Sequence, residues 1–279
     1  MLNYNGTLYP DNAPILTAQN RAFRYGDGVW ETMRCIDGEL PFYAYHVARM
    51  TQALHYLHLN LPDFAALRQS IKQTLEGQTA ARVRLALFRA DDTGALTPET
   101  DALHFLIAVS PLPTPTFAFA PPLRVGISRE ARLPRHIDPC YAHLKLPDSL
   151  PYIRAAREAK INDWHEALLC NTEQNVVEAS SSNVLVLHQG TLYLTDPQQY
   201  GLRGTMQTIL QAVLAPQIGI ATDYWSFHKD LLFEADEIML TNAVQGIRAV
   251  AQIAGIDKRF GSEVAQALHQ QLLLKAAAQ

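Results

Sequence analysis

The chain has 279 residues, of which 48% are hydrophobic and 18% are charged. This length corresponds to about two domains, since packed units usually hold roughly 100–200 residues. The composition is that of a globular protein with a sizeable core and excludes a disordered chain. The 23 basic and 27 acidic residues give a net charge of −4, which does not favour binding to nucleic acid or to an anionic membrane.

No stretch of the sequence has the pattern of a secretion signal or a membrane span. Met1 to Gly6 lack the basic and apolar run of a signal peptide, and no segment reaches the roughly 18 apolar residues that cross a bilayer. Cys35, Cys140 and Cys170 form no paired motif, so they favour free thiols in a reducing compartment. We therefore expect a soluble, cytoplasmic chain without disulfides.

The first predicted elements are two strands joined by a tight turn. Asp37-Gly38 tolerates the positive φ angles of such a turn. The apolar residues before and after it predict strands over 32–35 and 40–43. An antiparallel hairpin is expected here.

Two helices and two further strands follow in the first third of the chain. Four apolar residues recur at steps of three, four and three: Val47, Met50, Leu54 and Leu57. This spacing predicts a helix over about 45–57, and Asp63 is a candidate N-cap for a second helix that ends near Gly77. Strands over 81–89 and 103–109 complete a sheet with two helices.

Three prolines within the six residues 110–115 place the domain boundary. The prediction is an N-terminal α/β domain over 1–110, a linker over 111–122 and a C-terminal domain over 123–279. The last contains short strands interleaved with helices, which predicts an α+β, barrel-like unit. The strands are expected at 124–127, 166–170, 183–187, 191–194, 237–240 and 246–253, and the helices near 149–161, 205–214 and 262–275.

Familiar catalytic and metal-binding motifs are missing from the sequence. It contains no Gly-Lys-Ser or Gly-Lys-Thr phosphate loop, no Gly-x-Ser-x-Gly elbow and no His-Glu-x-x-His helix. His55 and His58 are spaced to share a helix face, but no further ligand accompanies them at a familiar spacing. We interpret both as surface or packing histidines and expect no metal site.

Four separated segments of the sequence form a pattern when they are considered together. They are Tyr25 to Arg34 (YGDGVWETMR), Lys145 in HLK, Glu166 to Asn183 with its EALL and VVE segments, and Asp236-Glu237 leading to Thr241-Asn242-Ala243. In this order and spacing they resemble the class IV aminotransferase family, the fold-type IV enzymes of pyridoxal 5′-phosphate (PLP). The resemblance covers 6–253. It implies a two-domain fold, with a smaller N-terminal α/β sandwich domain and a larger C-terminal barrel-like domain that binds PLP.

The resemblance assigns the central pair of the PLP site. Lys145 matches the lysine that holds the cofactor as a Schiff base and then moves a proton on the substrate. Glu178, which follows 33 residues later, matches the acid that keeps the ring nitrogen protonated so that the ring withdraws electrons.

Further residues match the part of the site that binds the cofactor's phosphate and ring. Arg49 corresponds to the family's phosphate arginine, and Leu202 to a residue that packs on the ring. The N–H groups of Thr205 and Met206 would face the phosphate from a helix N-terminus. Family members often carry Thr at the position of Met206 and Arg at the position of Gln207, so this chain departs from the pattern there.

Two other departures concern the branch of the family. Many members have Asn-Tyr after the lysine, whereas this chain has Asp148-Ser149-Leu150. The cofactor-binding pair Asn242-Ala243 is similar to the pair in aminodeoxychorismate lyases, which share the fold and cofactor. Both departures favour the lyase branch or an unusual transaminase.

The substrate carboxylate needs fixed cations, and arginine provides them because its planar group pairs with both oxygens. Candidate cations on the first-domain strands and shortly before Lys145 are Arg34, Arg84, Arg89, Arg132 and Arg135. Trp30 and Thr32 are further candidate substrate-binding residues. The arginines after position 128 could also form a nucleic-acid patch. That alternative is disfavoured because the cluster is short and has no interleaved aromatic residues.

The leading hypothesis is a PLP-dependent class IV aminotransferase that transfers an amino group between an amino acid and a 2-oxo acid. The first alternative is an aminodeoxychorismate lyase that releases pyruvate and gives 4-aminobenzoate. The second alternative is a non-catalytic member that keeps the fold for binding. The family also implies a homodimer whose subunits complete each other's sites.

Overall fold

The structure is a computed structural model that describes residues 1–133, 138–147, 149–195 and 201–278. The chain divides into two compact units. The first contains Met1–Thr116 together with the short segment at 144–147, and the second contains Phe117–His143 and Ser149–Ala278. The change of unit after Thr116 lies inside the predicted linker over 111–122, while the predicted boundaries themselves stay a prediction.

The first unit is a five-stranded antiparallel sheet with order β2-β1-β5-β4-β3 and with helices packed on one face. Its core cluster includes Met33, Met50, Leu54, Ile71 and Leu85, all at most 1% exposed. The elements are β1 (Leu2–Tyr4), β2 (Thr7–Tyr9), α1 (Arg21–Tyr25), β3 (Gly28–Ile36), α2 (Tyr43–Tyr56), α3 (Phe64–Leu75), β4 (Ala80–Arg89) and β5 (Leu103–Pro111).

Both predicted helices of this unit are confirmed by the structure. Helix α2 buries Met50 and Leu54, because residues three and four apart lie on the same side of a helix. Helix α3 begins after Asp63, whose carboxylate accepts hydrogen bonds from the N–H groups of Ala65 and Ala66. This is the side-chain cap that the first turn of a helix requires.

The predicted hairpin around Asp37-Gly38 is half right. The turn is confirmed, since Asp37 has φ 50° and Gly38 has φ 82°. The second strand, expected over 40–43, was wrong, because Phe42 has φ 62° and α2 begins at Tyr43. Strand β3 instead pairs along its length with β4.

The second unit contains the remaining strands and helices of the described residues. They are β6 (Leu123–Leu133), α4 (Pro139–His143), α5 (Leu150–Ile161), β7 (Glu166–Asn171), β8 (Val176–Ala179), β9 (Asn183–His188), β10 (Thr191–Thr195), α6 (Thr205–Ile209), α7 (Ala215–Gln217), β11 (Ala221–Trp225), β12 (Glu237–Asn242), β13 (Gly246–Ile253) and α8 (Glu263–Ala277). A π-helical turn at Leu210–Leu214 joins α6 to α7, and a 3₁₀ helix spans Lys229–Glu234. All six predicted strands and the three predicted helices are present.

Six strands of this unit close into a barrel. The order is β11-β10-β9-β12-β13-β6-β7-β8, and β8 also pairs with β9. The closing pair consists of Glu178 on β8 and Asn183 on β9. Strand β8 was not predicted, because it has only four residues and its short apolar run is interrupted by Glu178. Closure therefore brings the predicted acid Glu178 directly opposite Asn183.

In the described residues, we find no helix with the length and apolar character needed to cross a membrane.

Candidate active site

A cleft in the second unit collects several of the predicted cofactor residues. It is small and partly open to solvent. Its walls come from β8, β9, the end of β10 and the turn that leads into α6. The lining residues are Val177, Glu178, Asn183, Thr195, Gly201, Leu202, Arg203 and Gln207.

Glu178 is seated against the turn on one wall of this cleft. Its side chain is buried, with the residue 5% exposed, and its Oε1 accepts a hydrogen bond from the N–H of Leu202. Gly201 has φ 74°, and a Cβ there would overlap Glu178 Oε1 and lie 2.8 Å from Val177 Cγ1. Glycine at 201 thus permits both the left-handed turn and the close approach of the carboxylate.

The turn opens the helix that contains the predicted phosphate residues. Gly204 is the N-cap of α6, and no side chain caps this end. The side chains of Thr205 and Met206 are buried, while the first N–H groups of a helix have no acceptor within the helix. Such a terminus favours an anion. Gln207, where a family arginine is common, is 5% exposed and lines the cleft.

The predicted pair Asn242-Ala243 lies at the end of β12, where the Asn242 side chain contacts the loop after Glu178. Asn242 Nδ2 donates to Ser182 Oγ at 3.1 Å, and Ser182 Oγ donates to Glu166 Oε1 at 2.7 Å. The Asn242 side chain is therefore held by the β8–β9 loop, and Ala243 beside it is half-buried.

Lys145 belongs to the first unit through its neighbours in the chain. Leu144 is 7% exposed and is part of the first unit's core, with Leu146 packed against the same core. The carbonyl of Lys145 accepts a hydrogen bond of 2.9 Å from the N–H of Trp30. The lysine is half-buried, and its backbone is fixed to β3 by an apolar anchor and this hydrogen bond.

Trp30, Thr32, Arg34 and Arg84 share the sheet face opposite the core of the first unit. Alternate residues of β3 point to one side, and Thr32 pairs with Arg84 across the β3–β4 ladder. Trp30 is 41% exposed, and Arg84 is exposed. Arg34 is buried and donates to the carbonyl of Thr116 at 2.6 Å, and this burial lowers the pKa of its guanidinium.

Arg89 lies in an ion-pair network of the first unit. Its Nε donates to Asp27 at 2.9 Å, and its terminal nitrogens donate to Asp101 at 2.5 Å and to the carbonyl of Leu57 at 2.8 Å. Asp27 also accepts from Arg21 at 2.8 Å. These acceptors hold the Arg89 side chain within the first unit, and its role as a substrate-binding residue stays a prediction.

Arg49 forms a buried cluster with two other charged or polar side chains. Its guanidinium donates to both carboxylate oxygens of Glu31, at 2.6 and 2.7 Å. His46 Nδ1 lies 2.7 Å from the same carboxylate. Burial by itself would raise the pKa of Glu31, but Arg49 and His46 outweigh burial and hold this pKa well below its usual range.

The Glu31 cluster leads to a prediction about stability and pH. Replacing Glu31 by glutamine leaves Arg49 without its paired charge, so we expect the free energy of unfolding to fall by about 3–5 kcal/mol. The folded pKa of Glu31 lies below the unfolded value of about 4.3. Its contribution is therefore complete above that value and is lost as the pH falls. Urea unfolding between roughly pH 2 and pH 7 should show a flatter pH dependence in Glu31→Gln.

Glu39→Gln is the matched control for that experiment. Glu39 forms ion pairs with Arg68 and Lys72 at the surface, where its side chain is 47% exposed, so its loss should cost at most about 1 kcal/mol. Equal losses in the two variants would contradict a stabilising role for the buried cluster.

The last two predicted arginines precede Lys145. Arg132 is exposed and donates back to the carbonyls of Ser128 and Ala131 in its own strand. Arg135 lies outside the described residues. Within the described part of the chain, no three His, Cys, Asp or Glu side chains form a group that could hold a metal ion.

Two residues of these clusters had not been assigned a role from the sequence. Asn183 lines the cleft and donates to the carbonyl of Leu202 at 2.7 Å, and Glu31 pairs with Arg49. Glu31 stands in the YGDGVWE motif and Asn183 ends the Ser-rich loop after Glu178. The motifs could have drawn attention to both, but only the pairing across strands reveals what each side chain contacts.

A chain that combines a five-stranded antiparallel sheet with a closed six-stranded barrel has the fold of the type IV PLP enzymes, as comparison with solved structures shows. The 4-amino-4-deoxychorismate lyase structure from Pseudomonas aeruginosa matches with a TM-score of 0.85 and 25% identity, covering 98% of each chain. The profile of the family described as Amino-transferase class IV matches residues 28–253. The chain therefore belongs to the class IV aminotransferase family, a family of PLP-dependent enzymes.

The curated relatives of this chain include both lyases and aminotransferases. An aminodeoxychorismate lyase of Vibrio harveyi is 22% identical over 245 residues, which cover 86% of this chain and 88% of the relative. A D-alanine aminotransferase of Bacillus licheniformis is 25% identical over 262 residues, which cover 90% of this chain and 88% of the relative. The family and the PLP cofactor predicted from the sequence are confirmed.

Proposed function

We propose that this protein is a PLP-dependent aminotransferase that moves an amino group between an amino acid and a 2-oxo acid. One observation carries the proposal: the buried Glu178 carboxylate and the uncapped N-terminus of α6 are joined by a single short turn. A carboxylate suits a protonated ring nitrogen, and helix N–H groups suit a phosphate. The donor set therefore fits PLP.

Within this proposal, each residue of the second unit has a separate task. Bound PLP supplies a ring that withdraws electrons from the reacting carbon of the substrate. Glu178 would accept a hydrogen bond from the protonated ring nitrogen and so keep the proton on the ring. The N–H groups of Thr205 and Met206 bind the phosphate, and Leu202 packs against the ring.

The residues of the first unit bind the substrate and move its proton. The Nζ of Lys145 removes the proton from the substrate α-carbon and returns it at a different atom, which makes the lysine the acid–base group of the reaction. Arg84 and its neighbour Thr32 bind the substrate carboxylate on the open sheet face. Arg49, held rigid by Glu31, is the proposed cation for the phosphate.

A second candidate function is the lyase reaction, and Asn242-Ala243 favours it because this pair is similar to that of the lyase branch. The lyase relatives support the same candidate. Lys145 would again remove the α-proton, after which pyruvate leaves from aminodeoxychorismate and the ring of the product becomes aromatic. The two candidates share their first proton transfer and differ in what leaves.

A half-reaction separates the two candidates. PLP-loaded protein is mixed with branched-chain, aromatic, acidic and D-amino acids without an acceptor, and the absorbance of the bound cofactor is followed. We expect at least one donor to convert the cofactor to its amine form and a 2-oxo acid to restore it. If no donor does so and aminodeoxychorismate yields pyruvate, the protein is the lyase, and the transaminase proposal fails.

The proposed functional unit is a homodimer, which is the assembly that the family resemblance implies. Light scattering during gel filtration of the PLP-loaded protein should give twice the chain mass of 31.1 kDa. A single-chain mass at working concentration would contradict the homodimer.

A further inference from the structure

We infer that Asn183 is a positioning residue that, together with Glu178, holds the 201–204 turn against the barrel. The inference deepens the proposed function, on which its consequence for PLP binding rests. The Asn183 side chain donates to the turn, and no direct role in proton transfer is assigned to it.

The two side chains bind one residue from both ends. Glu178 and Asn183 face each other in the pair that closes the barrel between β8 and β9. Glu178 Oε1 accepts the N–H of Leu202, and Asn183 Nδ2 donates to the carbonyl of the same Leu202 at 2.7 Å. Opposite residues on neighbouring strands lie only about 5 Å apart, so this short clamp fixes the position of Leu202 along the wall.

The amide of Asn183 also explains why position 204 is glycine. Gly204 has φ −66° and ψ 141°, a conformation that any residue adopts, so the backbone itself does not require glycine. A Cβ at this position would overlap Asn183 Oδ1. Asn183 is only 8% exposed and is held by its hydrogen bond to Leu202, so its amide cannot move aside without losing that bond.

The clamp controls two proposed contacts of the cofactor at once. Leu202 is the residue proposed to pack on the ring, and Gly204 is followed directly by Thr205 and Met206, whose N–H groups are proposed to bind the phosphate. If the turn shifts away from β9, the ring contact and the phosphate contact are both displaced relative to Glu178. Asn183 thus sets the spacing between the acid and the anion site.

The first test measures two quantities: hydrogen exchange of the turn in the cofactor-free protein and the Kd for PLP. Hydrogen exchange followed by mass spectrometry reports on peptides that cover 201–209 in the full-length Asn183→Ala variant. We expect exchange in these peptides to quicken about tenfold in the cofactor-free protein, and the Kd for PLP to rise about tenfold or more, since a lost buried hydrogen bond changes an equilibrium by roughly that factor.

Asn162→Ala is the control for this variant. Asn162 Nδ2 also donates to a backbone carbonyl of the second unit, that of Glu158 at 2.9 Å, but it lies outside the cleft lining. We expect its exchange over 201–209 and its Kd for PLP to match those of the unchanged protein. If either quantity in Asn183→Ala equals that of Asn162→Ala, the inference is overturned.

A second test keeps the inference falsifiable if Asn183→Ala does not fold. Gly204→Ala adds one methyl group where Asn183 Oδ1 lies, so it should raise the Kd for PLP about tenfold or more by displacing the amide. Where Asn183→Ala does fold, the double variant should bind PLP no more weakly than Asn183→Ala alone. Unchanged binding in Gly204→Ala, or effects that multiply in the double variant, would overturn the inference.

These measurements do not depend on turnover. If the unchanged protein binds PLP but catalyses neither amino transfer nor pyruvate release, the proposed function fails while the clamp is still tested by exchange and affinity. If the protein catalyses amino transfer and the Asn183 variants bind PLP normally, only the present inference fails.

Discussion

Lys145→Ala should lower the rate of amino transfer by a factor of roughly 10³ or more, because it removes the amine that carries the proton. The fold should survive, since the anchors of this segment are the side chain of Leu144 and the backbone hydrogen bond from Trp30 to the Lys145 carbonyl. Alanine keeps both. Steady-state turnover, visible absorbance of the PLP-loaded protein and thermal unfolding together measure this expectation.

Lys160→Ala is the control for the loss of a positive charge. Lys160 is exposed in the last turn of α5, and its removal should leave turnover and cofactor absorbance unchanged. If Lys145→Ala kept turnover near that of the unchanged protein, Lys145 would not be the acid–base group, and another amine of the chain would have to carry the proton.

Glu178→Gln should reduce turnover by roughly 10²-fold with little loss of stability, by analogy with the removal of one preorganised polar group from an active site. The substitution removes the negative charge proposed to hold the ring proton. It keeps the shape of the side chain and an oxygen that can accept the N–H of Leu202. We therefore expect kcat to fall, and the thermal midpoint to stay near that of the unchanged protein.

Glu173→Gln, on the same hairpin, is the matched control. Glu173 is exposed in the turn before β8, so its loss should not alter turnover. If Glu178→Gln kept full turnover, the acid would have no role at the ring nitrogen. If Glu178→Gln unfolded the barrel, the carboxylate would be needed for the pairing of β8 with β9. Hydrogen exchange over 201–209 would then decide its proposed role.

Much of the fold could be predicted because it is encoded over short distances along the chain. The three-and-four spacing of apolar residues predicted α2, and the aspartate before Phe64 predicted the start of α3. Alternating or apolar runs predicted β4, β5 and most strands of the barrel. Strand β8 was not predicted, because it has only four residues and its apolar run is interrupted by Glu178. The strand predicted over 40–43 was wrong, because Phe42 has a positive φ and α2 begins at the next residue.

The candidate site shows the same division. The order of its motifs predicted the family and the cofactor, and the cleft brings together Glu178 and Leu202 as residues of one wall. The arginines could not be sorted in this way. Arg89 and Asp27, which form an ion pair, are 62 residues apart in the chain, and the local sequence around either residue does not indicate this pairing.

The amino-acid sequence by itself determined the class of enzyme, the cofactor, the helices with strong periodicity and the identity of the candidate lysine and acid. The tertiary structure alone decided which charges are neutralised within the protein, that Lys145 is anchored in the first unit, and that Asn183 meets Glu178 where the barrel closes. The physical reason is the distance along the chain over which each interaction acts. Periodicity and capping act between residues a few positions apart, whereas strand pairing and buried ion pairs join residues whose proximity exists only once the sheet has formed.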